Sequence, residues 1–513
     1  MKKLLSGILT LGLCFTLIGC GKKNSKSTTK GKTSYDIDTN NPNYESNYSP
    51  ILSDTLPRID IDVADDSLSH EEKMKFVTEP NRDNPPADYT ECNVTVSEGS
   101  DISIDGKKAG VKVRGNWTTY YPKKPLRIKF DKKQSMLGLN NGEKYKSWVL
   151  LAAYKDWSIL RDASAFYLAK LMGAYYASDF RLVNVYINGE YWGVYLLVEQ
   201  QQVGETRVNI TEAQKLDDGT YYTGTDIGYF LEFDGYYTEE DPAQTFTINY
   251  PGLMNYDKTK AFPKNKFQKG FTIKSDIYSE NQRSFIQNYM QNVFDIAYKA
   301  IIKKEYYEFD STYSTITKND SLNSYTAISK IIDVDSLVNA YILAELTCDV
   351  DVAWSSMFMD VDFGENGSKK LTFEAPWDYD SSFGNTRGCV DAKGIFAADV
   401  EINAMNEESA NPWYLLFYQC DWFRELVKDK LNGMKEKKVF DKVISYITDA
   451  ATKYEADFIA NYTKWQNCGN PLTINNETNA NSGKCKTQKE AANWLKEWLS
   501  MRADNLIKWF NEE

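Results

Sequence analysis

Asp378 and Asp380 stand two residues apart in Trp377-Asp378-Tyr379-Asp380-Ser381-Ser382-Phe383-Gly384-Asn385. In an extended segment both carboxylates project to one face. They repel each other unless a cation sits between them. Hard oxygen ligands beside a small-residue turn suit Mg²⁺, which takes one or two carboxylates and completes its shell with substrate phosphates. An acidic turn after a buried strand is the plainer reading of the same stretch, and the upstream sequence must decide between the two.

Composition narrows the chemistry. The 513 residues contain one histidine, His70, in a Ser-His-Glu-Glu run, so histidine acid/base catalysis and His-rich zinc sites are nearly excluded. A base must be a carboxylate, Lys, Tyr or Cys. The formal charge of -12 argues against a nucleic-acid surface, and an anionic substrate then needs a local basic patch or a metal. Tyr (35) and Trp (12) are abundant, which suits wide clefts that contact polar ligands. The length fits two or three lobes around a shared interface.

The first residues read as targeting sequence. Lys2 and Lys3 precede an apolar run to residue 19, too short to span a membrane. Leu17-Ile18-Gly19-Cys20 resembles the lipobox of bacterial lipoproteins. The resemblance implies a signal peptide over 1–19, a diacylglyceryl group on Cys20, and an outward-facing location at the cell membrane held by that anchor alone. Residues 20–50, rich in Lys, Ser, Thr and Asn, read as a flexible tether.

The elements that must position the acids fall into two halves. Residues 51–275 are strand-rich: alternation at 57–63, a hairpin signal at Asp105-Gly106, Lys123 to Phe130 as a basic strand, and Asn188-Gly189 between two apolar runs. One helix, over about 158–172, interrupts them, with Asp156 placed to cap it. Residues 276–513 are mainly helical: 280–303, 333–347 with Asp333 as N-cap, 412–431, 436–460 and 487–511. Short strands at 354–359 and 371–375 flank the acids. The predicted class is α+β, with a ligand cleft between the halves.

The order is informative: a basic strand with Lys123, Lys124 and Lys129, a helix, a hairpin ending at Glu199, a long helix, a loop with Asp349 and Asp351, then a strand pair ending at Asp378. Protein kinases run in this order, and phosphoryl transfer needs positioning and charge neutralisation rather than covalent chemistry.

The residues that carry a closer resemblance are Arg114-Gly115-Asn116, Pro122 to Phe130, Leu150-Leu151-Ala152 with Asp156, Leu160-Arg161-Asp162, Asn188 to Tyr195, Glu199, Asp349-Val350-Asp351, and Trp377 to Asp380 with Phe383-Gly384-Asn385. Over roughly 57–430 the chain resembles the CotH family, atypical kinases named for spore coat protein H. The resemblance implies a two-lobe protein-kinase-like fold, ATP with Mg²⁺ or Mn²⁺, and a protein acceptor in the envelope or secreted. It implies Asp378 as the metal-binding aspartate, and Asp351, or else Asp349, as the catalytic-loop aspartate. Lys124, then Lys129, would hold phosphate, and Arg114 and Asn116 would lie over the nucleotide. Glu199 would sit where a hinge begins. The chain departs from kinases in lacking G-x-G-x-x-G, and Ser355 or Ser356 stands where a second metal ligand is expected. Asp380 or Asn385 could substitute. AMP transfer and an inactive scaffold that binds a polysaccharide or partner are the alternatives. A glycoside hydrolase built on Asp351 and Asp378 would leave the lysines unexplained.

Overall fold

The structure is a computed structural model that describes residues 47–267, 269–386, 391–399, 401–402, 407–468 and 484–512. The leader, Cys20 and most of the expected tether lie outside the described residues.

Seven strands close into a barrel: β1 (Arg58–Val63), β2 (Thr90–Glu98), β3 (Asp101–Val113), β4 (Leu126–Gln134), β5 (Tyr145–Leu151), β6 (Phe180–Ile187) and β7 (Glu190–Glu199). Alternation of apolar residues makes this possible, since every second side chain points inward. Ile59, Ile61, Val94, Val111, Ile128 and Leu197 are among those that fill the interior. Neighbours pair antiparallel except at the seam, where β1 runs parallel to β6 with Arg58 opposite Asn184. The Asn188-Gly189 turn is present, both residues left-handed. The Asp105-Gly106 signal marks no hairpin, because β3 runs straight through it. Gly106, at φ 50°, donates its amide to Thr95 Oγ1 and the β2–β3 register slips beside it. The same turn chemistry serves a bulge when the flanking strand is already paired.

Between β5 and β6 lies helix α2 (Arg161–Met172), ended by Gly173 at φ 82°. Asp156 serves its start from a distance, accepting the Arg161 amide at 2.9 Å. Helix α1 (His70–Thr78) lies between β1 and β2.

After the barrel comes a second, five-stranded sheet. Its order is Thr372–Phe373, Met357–Asp362, β8 (Gly228–Asp234), Gly270–Ile273 and β9 (Thr245–Phe246). The sheet thus joins strands from before and after residue 276. Helices follow: α3 (Glu280–Tyr298), α4 (Ser324–Ser329), α5 (Val334–Thr347), α6 (Pro412–Tyr418), α7 (Asp421–Glu436), α8 (Val439–Lys453), α9 (Glu455–Trp465) and α10 (Gln488–Glu512). Asp333 caps α5 by accepting the Ser336 amide. The periodic run predicted over 436–460 breaks at Tyr454 into α8 and α9. Helix α10 packs on α8, α7 and α5. It is pinned there by a fully buried Arg502–Glu345 pair at 2.7 Å. The mixture of helix and sheet is the α+β class. Among the described residues no helix is long and apolar enough to cross a membrane.

Candidate active site

Three walls enclose a cavity of about 440 Å³, within the range of small-molecule and cofactor sites. The barrel rim supplies Arg114 to Thr118 and Leu151 to Lys155. The second sheet supplies Phe230, Glu232, Asp234 and Phe358. The third wall is made by two acidic loops, Val350 to Ser356 and Trp377 to Ser381. These loops flank the Met357–Asp362 and Thr372–Phe373 strand pair, so one antiparallel ladder sets their separation.

Away from the sheet wall, Asp162 from α2 and Asp351, Asp378 and Asp380 from the two loops bring carboxylates to this space. Asp351 is pushed well above the carboxylate range by burial and by repulsion from Asp378 and Asp349, against the pull of Lys155. Asp162 is raised by burial and by Asp380 and Asp378. Two cations answer them. Lys155 Nζ lies 3.3 Å from Asp380 Oδ1, both side chains buried. The Arg114 guanidinium lies over the Trp377 ring at 5.3 Å, and attraction to Asp378 opposes the lowering that burial imposes on it. On the sheet wall Lys274 pairs with Glu232 at 2.7 Å, and Glu232 also accepts the Ser356 amide.

Of the residues singled out from sequence, Arg114, Asn116, Asp351, Asp378 and Asp380 line the cavity. Asp349 lies behind it, buried, its Oδ1 accepting the Asp351 amide at 3.1 Å. Asn385 is buried and donates Nδ2 to the carbonyls of Asp380 (2.7 Å) and Lys155 (3.3 Å), fastening the loop. Lys124 precedes β4. It is buried and its ammonium donates to the carbonyls of Thr119 (2.5 Å) and Tyr121 (3.0 Å). Lys129 is exposed on β4 beside Tyr89, away from the acids. Glu199 is buried against Arg207 at 3.0 Å and also accepts from Asn140 and the Asp179 amide. Its neighbours Gln200 and Gln201 are the ones that reach the cavity. Lys123 does line the cavity, its Nζ held by the Ala152 and Val194 carbonyls and lowered well below the usual lysine range by burial.

Lys155 escaped sequence reasoning although it adjoins Asp156, and Asp162 was quoted within Leu160-Arg161-Asp162 without a role. The Glu232–Lys274 pair left no local signal, because its members meet only through sheet pairing.

The donor set suits a hard cation: carboxylate oxygens, with histidine and thiolate absent from the cavity lining. Among the described residues no three acidic, histidine or cysteine side chains converge closely enough to hold a metal unaided. A Mg²⁺ held by one or two carboxylates and completed by phosphates needs no such triad.

The CotH kinase protein family matches residues 111–506. The chain belongs to that family, whose name marks it as kinase-like. No curated protein matches the chain.

Proposed function

We propose that this protein transfers phosphate from ATP, with Mg²⁺ or Mn²⁺, to Ser or Thr hydroxyls of an envelope or secreted protein. The observation that carries the reading is the cavity itself: acids from two loops meet Lys155 and Arg114 in a space of about 440 Å³. Phosphoryl transfer asks for this arrangement of cations, carboxylates and a hydroxyl-orienting acid.

Asp378 and Asp380 are the residues to hold the metal, which when bound neutralises phosphate charge. Lys155 takes the phosphate-contact role that the family resemblance implied for Lys124, since the Lys124 ammonium is committed to the Thr119 and Tyr121 carbonyls. Arg114 and Asn116 border the phosphates from the barrel rim. Asp351 orients the acceptor hydroxyl and takes its proton. Phe230 and Phe358, stacked at 5.5 Å, give the cavity an apolar end suited to a nucleobase.

In the two-lobe reading the barrel is one lobe and the second sheet with the helices is the other. We place their division after Glu199 rather than at 275, because β8 pairs with Met357–Asp362. Outside the described residues, 1–19 would be removed and Cys20 lipidated, with 20–50 as tether and the protein outward-facing at the membrane.

Incubation of the tether-free protein with γ-labelled ATP and Mn²⁺ tests the reading. Label transferred by wild type and lost in Asp378→Ala is expected; equal label in both would refute the metal role. Label from α-phosphate alone would mean AMP transfer, and no stabilisation by ATP with either metal would mean a scaffold.

A further inference from the structure

The segment 155–162 and the loop 378–385 are distant in sequence yet zipped together. Lys155 Nζ meets Asp380. The Lys155 carbonyl accepts Asn385 Nδ2. Arg161 Nε donates to the Ser382 carbonyl at 3.1 Å. Asp162 Oδ1 accepts the Tyr379 amide at 2.7 Å. Arg161 is itself locked by a buried pair with Asp156, so the first turn of α2 is a rigid template.

Two of these bonds act on backbone at each side of Asp380. The Tyr379 amide follows Asp378, which sits at φ 70°, a left-handed conformation that carries a strain cost for a residue other than glycine.

We infer that Asp162 is a positioning residue. Through the Tyr379 amide it holds Asp378 in its left-handed turn and so aims Asp378 and Asp380 at the cavity. The inference rests on the phosphotransfer reading for its effect on rate, but its structural half stands apart from that reading.

The bond requires an oxygen at one reach and does not require charge. Asp162→Asn keeps an amide oxygen in place. Asp162→Glu keeps the charge and moves the oxygen by one methylene. Hydrogen exchange at the Tyr379 amide, read in the tether-free protein by mass spectrometry, separates the two. Protection within about 3-fold of wild type in Asp162→Asn, and a fall of 10-fold or more in Asp162→Glu, is expected. Mn²⁺ affinity measured with a non-hydrolysable ATP analogue should follow the same order, with kcat falling more than the KM for ATP. Loss in Asp162→Asn with retention in Asp162→Glu would overturn the inference and make the charge the operative feature. Equal protection in all three would overturn it too. If wild type binds no nucleotide while exchange follows the expected order, the phosphotransfer reading fails and the positioning role stands.

Discussion

Lys155 and Asp380 form a buried ion pair, 3.3 Å from Nζ to Oδ1, that joins the segment just after β5 to the acidic loop 225 residues downstream. Lys155→Met leaves Asp380 without that cation. Removal of one partner from a buried pair costs about 3–5 kcal/mol, and under the proposed function the loss of this phosphate-facing charge costs about 100- to 1000-fold in rate. Urea unfolding should show the first and labelled-ATP transfer the second. Stability lost with transfer unchanged would reduce the pair to a structural bond.

Lys124→Met should behave differently. Its ammonium holds the Thr119 and Tyr121 carbonyls, and stripping buried acceptors of their donor costs about 1–3 kcal/mol. The expected outcome is a lower denaturation midpoint and a higher KM for ATP through a loosened rim loop, with kcat within a few-fold of wild type. A collapse of kcat would return the phosphate role to Lys124.

Asp360 and Glu374 give the fold an alkaline weakness. Burial pushes Asp360 up to about 8, and burial together with Asp360 holds Glu374 well above the carboxylate range; Asp362 and Asp333 add to the negative field. Both folded-state values are raised, so the folded protein binds more protons than the unfolded chain. This contribution is complete below the unfolded carboxyl values near 4 and is lost as pH rises through about 8. Each proton involved gives a slope of at most about 1.4 kcal/mol per pH unit. Urea midpoints of wild type should fall between pH 5 and 9, and Asp360→Asn should flatten the fall. A midpoint that rises over that range would contradict the pairing.

Arg502→Leu tests the buried clamp between α10 and α5. Glu345 there also accepts the amides of Phe396 and Ala397, so the variant strands a carboxylate that organises three segments. A loss of about 3–5 kcal/mol is expected, measured by denaturant unfolding. The double variant with Glu345→Leu should recover part of it, because the two losses share one interaction.

Local chemistry decided which parts of this molecule were legible from sequence. The Asn188-Gly189 turn and the Asp333 cap are legible because each is encoded by residues within a few positions of one another, and the acids at 351, 378 and 380 stand out by local spacing and line the cavity. Lys124 misled because a lysine pair before a strand has the same pattern whether its ammonium faces a ligand or folds back on nearby carbonyls. Lys155 and Asp162 take their meaning from a loop more than 200 residues away. The closed barrel was illegible for a similar reason: alternation identifies strands but says nothing of β1 finding β6.

That seam has a practical side. The matched family region begins at residue 111, inside β3, whereas the ring is closed by β1 and β2 from residues 58–98. A shortened version cut at the family boundary would leave β4 and β6 with bare hydrogen-bonding edges and the apolar lumen open to water. Unprotected edges recruit one another, so such a fragment should be recovered as aggregate, and any expression design must start upstream of Pro57.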